Sequence, residues 1–291
     1  MKLALFILIM LTALIVTLHV VRWWDNRRAF QIWNALVFET VETDIVFDPA
    51  MVKDLPDPAK RFFLFTIKQG TPLQDVAEIE TSGEIGLGPR DKPGYMPMQG
   101  VQIIAPPYGY VWRLTAGRGV MKLSGNEGAY NQRSWIRFWA AGTVPVVRAG
   151  DDTDHFRSAF GRMIADGLFW VPAALLPHNG AKWTPVDETT SRVTVSHYGL
   201  EQSIDITVTE TGQPTQVVFQ RWSDVNPDNE YRLQPFGGKL YDFKDFDGYT
   251  LPTRVEGGNH FGTDDYFPFY KAIVEGITFP HANPKNQNTV E

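Results

Sequence analysis

The chain has no cysteine. That removes disulfides, thiolate metal sites, cysteine nucleophiles and a lipid-acylated cysteine together, while leaving the compartment open. It has no surplus of positive charge either: 27 Lys and Arg stand against 33 Asp and Glu, for a formal net charge of -6. No basic stripe is present of the kind that neutralises phosphates, so nucleic acid is not an expected partner. The local signatures of catalysis are also missing. There is no G-x-S-x-G elbow, no phosphate-binding loop, no dinucleotide fingerprint and no H-E-x-x-H pair among the six scattered His. No cofactor and no metal site are expected.

What the chain does have is aromatic residues, with nine Trp, ten Tyr and nineteen Phe. Such content suits sheets with buried faces or apolar cavities. It also has one long apolar run, Leu3 to Val21, uncharged apart from His19. As a helix this run extends about 28 Å, close to the roughly 30 Å of a hydrocarbon core. It ends in Val21, Arg22, Trp23 and Trp24, a basic and aromatic flank without a small-residue cleavage site. The reading is an uncleaved single-pass anchor over residues 1–24. Lys2 and the terminal amine on one side nearly balance Arg22, Arg27 and Arg28, offset by Asp25, on the other, so charge does not set the orientation.

Residues 25–54 read as a connector, a short helix running into extended chain. LPDPAKRFFLFTIKQGTP then predicts a helix with Phe62, Phe63 and Phe65 on its buried face. From Asp75 onward, short strands separated by Gly or Pro follow one another. Within AYNQRSWIRFWAAG, Trp135, Arg137 and Trp139 share one face and Ile136 and Phe138 the other, which predicts a strand covered on both sides. Ile204, Ile206 and Val208 alternate with Asp205, Thr207 and Thr209, the pattern of an antiparallel strand with one wetter face. The expected fold is α+β: a curved, mostly antiparallel, half-barrel-like sheet of about ten strands with helices on one side. It occupies 55–280, with a flexible tail at 281–291.

Between the two strand series lies GRMIADGLFWVPAALLP, Gly161 to Pro177. Its length, Arg162, Asp166 and Pro172 exclude a second span and predict a kinked helix of the β-rich domain, breaking after Val171. Arg162 and Asp166, four residues apart, read as a structural pair. The acidic cluster Asp151, Asp152, Asp154 and His155 just upstream reads as helix capping ahead of metal binding. Asp242, Asp245, Asp247 and Gly248 fail as a calcium loop, because Phe243 and Arg254 fall on its first and twelfth positions, and read as a turn. Glu256, among glycines, reads as a strand-end carboxylate paired with Arg254 or Lys239.

Three stretches together, LPDPAKRFFLFTIKQGTP, SAFGRMIADGLFWVPAALLP and GYTLPTRVEGG, resemble a bacterial family of unknown function, DUF6544, many of whose members carry an N-terminal membrane segment. The resemblance runs from about Leu55 to Phe279, with Asp166 standing where the family has Glu. It implies an extracytoplasmic, envelope-associated domain and no assigned activity. A looser likeness is to the half-barrel of lipoprotein-sorting chaperones, which implies an apolar cavity. The leading expectation is a non-enzymatic module binding a lipid or other apolar ligand through Trp112, Trp135, Trp139, Phe169 and Trp170. The alternatives are a hydrolase-type enzyme using Asp166, His155 or Glu256, and a structural component of a membrane complex. Oligomeric state is left open.

Overall fold

The computed structural model describes residues 1–38 and 45–280. The expected tail, 281–291, and residues 39–44 of the expected connector lie outside the described residues. The chain opens with helix α1, Lys2–Phe38, whose first part is apolar and long enough to cross a membrane. This helix is one continuous rod of 37 residues, so residues 25–38, expected as connector, are helical throughout. The reason is a second stripe, spaced for a helix, that buries Ala29 and Leu36 and packs Ile32, Trp33 and Val37 against Val76, Ile103, Ala105, Val111 and Trp135. Beyond it, Phe47 and Val52 are buried in the main core, so this part of the expected connector also belongs to the β-rich domain.

Helix α2, Asp57–Thr66, begins on Pro56 and Pro58, where a missing N–H costs nothing. It buries Phe62 and Phe63. Six strands follow: β1 Ala77–Ile85, β2 Met96–Ala105, β3 Gly109–Ala116, β4 Leu123–Tyr130, β5 Arg133–Ala140 and β6 Val144–Gly150. Helix α3, Thr153–Trp170, intervenes and is capped by Asp152, whose carboxylate accepts from the His155 N–H at 2.7 Å. Pro172 ends the α-helical geometry as expected, and the chain continues as short 3-10 turns over Pro172–Leu175 and Pro177–Asn179. Seven strands complete the domain: β7 Lys182–Pro185, β8 Thr190–His197, β9 Leu200–Val208, β10 Pro214–Ser223, β11 Arg232–Phe246, β12 Tyr249–Asn259 and β13 Tyr270–Thr278.

All thirteen strands form one antiparallel sheet, in the order β6-β5-β4-β3-β2-β1-β13-β12-β11-β10-β9-β8-β7. Each half is a meander of neighbours in sequence. Among the described residues, the two halves pair as strands only at β1 and β13, from Glu78 opposite Thr278 to Ile85 opposite Tyr270. Several hairpins use two-residue turns with both residues left-handed, which matches the twist of the flanking strands. Asn131 and Gln132 make one, at φ of 49° and 61°, and Asp247 with Gly248 another, at 50° and 91°. The latter is the DFDG segment, which is a turn.

The sheet curves around a large core to which α2 and α3 contribute Phe62, Phe63, Phe160, Ile164 and Leu168. The outer face carries the second half of α1. Helices therefore cover both faces, and the strand count exceeds the expected ten. Strand β5 shows the consequence: Phe138 joins the inner core while Trp135 joins the cluster under α1.

Candidate functional site

Helix α3 does not fill the concave space completely. Between its second half and the strands of both halves of the sheet lies a cavity of about 340 Å³ with a predominantly apolar wall. That volume falls within the range of small-molecule sites. Strands β3 and β5 supply Trp112, Leu114, Ile136 and Phe138, and α3 supplies Ala165, Phe169 and Trp170. On the far side, Gly237, Gly238 and Gly257 bring bare backbone to the wall.

One flank of the cavity is polar. Arg162, on α3, pairs with Glu127 of β4 and with Asp166 one turn on, the latter at 3.3 Å. All three side chains are less than a fifth exposed. The guanidinium also lies over the rings of Trp112, at 4.8 Å, and Tyr110, at 5.3 Å. Burial alone would weaken the Arg162 cation, but its surroundings, the Asp166 carboxylate among them, raise it above its ordinary value and keep it charged. Gln102, buried on β2, donates its amide to Asp166 at 3.2 Å. Burial, reinforced by the Asp166 charge, pushes the Tyr270 phenol up to about 12, so it stays protonated.

Arg221 of β10 also lines the cavity, with its guanidinium 5.0 Å from the centre of the Phe236 ring. Its Nε is buried without a hydrogen-bond partner among the described residues, and so is Nε1 of Trp170. Burial and the neighbouring Arg162 cation both disfavour its charge. Each of these two wall residues thus carries a buried donor left unpaired, which is costly.

The five aromatic residues expected to contact ligand divide by face. Trp112, Phe169 and Trp170 are on the cavity wall. Trp135 and Trp139 point to the outer face: the indole N–H of Trp135 donates to Asn126 at 2.8 Å, and that of Trp139 donates to Asp25 of α1 at 3.2 Å. The alternation around residue 135 separates the two faces of β5 but carries no sign telling which face is concave. No sequence motif points to Glu127 or Arg221. Arg221 shares its strand parity with Val217 and Phe219, both buried, and a charge in phase with core residues is the signal that marks it. Glu127 sits in SGNEGAY, where no apolar alternation exists to reveal its direction.

The three carboxylate and imidazole candidates do not assemble. Asp166 and Glu256 both line the cavity. His155 is at the first turn of α3, about 16 Å along the helix from Asp166, and its Nδ1 shares a hydrogen bond of 2.7 Å with Ser134 Oγ. Arg254, expected as a partner for Glu256, pairs with Asp242 at 2.7 Å, while Lys239 stands opposite Glu256 in the strand register. Asp151 faces Arg137 and Asp154 accepts from the Trp222 indole at 2.8 Å. Among the described residues, no group of three or more His, Asp or Glu is placed to hold a metal ion.

No curated protein matches the chain in sequence. Three solved structures are similar in shape at low identity. A LolA superfamily protein from Nitrosomonas europaea is 10% identical with a TM-score of 0.42, covering 78% of this chain and 94% of its own. A putative outer membrane lipoprotein-sorting protein domain from Vibrio parahaemolyticus is 8% identical at 0.36, covering 74% and 87%. A DUF1329 family protein from Desulfovibrio piger is 12% identical at 0.33, covering 80% and 94%. The sequence itself carries more: the family model for DUF6544, a family of unknown function, matches residues 45–272, from the segment before α2 into β13, and the chain belongs to that family.

Proposed function

We propose that the chain is a membrane-anchored, non-enzymatic binding module. Its ligand is apolar over most of its length and ends in a group that accepts hydrogen bonds, as an acyl chain with its carboxyl or ester does. The observation that carries this reading is the cavity of about 340 Å³ under α3, with Trp112, Leu114, Phe138 and Phe169 on its wall and unpaired donors on Arg221 and Trp170. Apolar walls supply affinity without direction. A few fixed polar groups then orient the ligand. Arg162 is occupied by its two carboxylates, so Arg221 and Trp170 are the groups left to meet an acceptor. The anchor reading is supported by the exposed apolar length of α1.

The test is to extract the purified full chain, held in amphipol, with organic solvent and to identify bound lipid by mass spectrometry. A near-stoichiometric acylated compound is the expected outcome for the wild type. Ala165→Trp, which projects an indole into the cavity from α3, should reduce it at least tenfold. Equal recovery from both proteins, or none from the wild type, would sink the proposal.

A further inference from the structure

The cavity has an open rim, and α1 fixes where that rim lies. Arg22 is the first charged residue after the apolar run, one residue beyond Val21 and so about 1.5 Å further along the axis. Its guanidinium donates to the Gly142 carbonyl, in the β5–β6 turn, at 2.8 Å and to Ser124 Oγ, at the start of β4, at 3.0 Å. Further along the helix, Asp25 accepts from Arg148 of β6 at 3.0 Å and Asn26 meets Asn126 at 3.2 Å. No slack separates the apolar run from the β-rich domain. A helix emerging from a bilayer in this way holds the end of the sheet formed by the β3–β4 and β5–β6 turns at headgroup level.

That end is apolar where a free surface would be polar. Leu87 is 59% exposed, Met121 70%, Val144 55% and Val146 48%. Elsewhere on the domain, exposed large apolar side chains are isolated, as at Leu64, Val186 and Ile273, or form the short pair Ile45 and Val46. Exposed Arg118 and Lys122 flank Met121, and exposed Trp23 and Trp24 stand on α1 beside Arg22. Basic and aromatic residues around an apolar tip are the composition of a surface seated among headgroups. Arg90 pairs with the carboxylate of Asp265, in the β12–β13 loop, and donates to the backbone carbonyl of Asp264, whose side chain adds one acid to this end. Leu87, Val146, Val147 and Leu123 belong to this end and to the cavity wall alike.

We propose that this rim docks on the bilayer that holds α1, so that the cavity opens onto lipid. The proposal rests on the anchor reading and is independent of what the cavity binds.

The absence of cysteine makes the test direct, since single nitroxide labels can be placed without background. Met121→Cys and Val144→Cys label the rim, Arg133→Cys labels the opposite end of β5, about 23 Å away, and Leu11→Cys labels the span. The full chain is reconstituted in vesicles of phosphatidylethanolamine and phosphatidylglycerol, and collisions with oxygen and with a water-soluble nickel chelate are compared. Labels at 121 and 144 should favour oxygen over the chelate severalfold relative to 133, at headgroup depth, with 11 near the bilayer centre. If 11 is buried in lipid while 121 and 144 meet the chelate as freely as 133, rim docking fails and the anchor stands. If 11 itself meets the chelate freely, both fail.

Discussion

Arg162 answers two carboxylates from the middle of a helix that faces an apolar cavity, and its removal leaves both without a counter-charge. Breaking a buried pair from one side is costly because the remaining charge stays desolvated. Arg162→Met should therefore destabilise the protein by about 3 kcal/mol in urea unfolding. Adding Glu127→Gln and Asp166→Asn should restore most of it. A small loss in the single variant would show that the carboxylates find water through the cavity. His155 gives a pH-dependent counterpart. Burial holds it below its ordinary value near 6.5, so the folded protein keeps it neutral where the unfolded chain is protonated. Its contribution is full above about pH 6.5 and is lost as pH falls below that value. The gap in melting temperature between wild type and His155→Gln should narrow from pH 8 to pH 5, and a constant gap would contradict this. The Arg162–Asp166 pair was legible from i, i+4 spacing. Glu127 was not, because its contact joins positions 35 residues apart and only the curvature of the sheet brings them together.

At the scale of elements, α3 and α1 show what local pattern reveals and where it stops. The kink after Val171 follows from Pro172 alone, and β9 buries Ile204, Ile206 and Val208 as their alternation requires. The second half of α1 was harder to read. Its packed stripe, buried at 29 and 36 and partly buried at 32 and 33, is interleaved with Phe30 and Phe38, apolar residues that stay exposed and blur the period. Whether β5 turns Phe138 inward and Trp135 outward, or the reverse, depends on which side the sheet bends, and periodicity has no term for that. Close approach is equally invisible to it. Gly167 of α3 lies against Pro106, so that a β-carbon there would meet the ring Cγ at 2.5 Å. Alanine gains about 1 kcal/mol in helix propensity over glycine, but overpacking against a rigid ring costs about 1–3 kcal/mol. Gly167→Ala should lower the melting temperature by a few degrees in a thermal melt, and a rise would mean that α3 shifts freely in its bed.

For the molecule as a whole, the class of fold was legible because alternating runs and turn residues recur along the chain, whereas the ring of contacts that makes a cavity was not. The decisive long-range pairing is β1 with β13, some 190 residues apart, since every other sheet neighbour is a neighbour in sequence. That single seam has a consequence for synthesis. The strands from β1 to β6 can zip together as they leave the ribosome, but β1 then waits with an open hydrogen-bonding edge until the last strand is translated. The most aggregation-prone edge of the nascent chain thus stays uncovered longest, and a truncation before Tyr270 would leave that edge exposed for good.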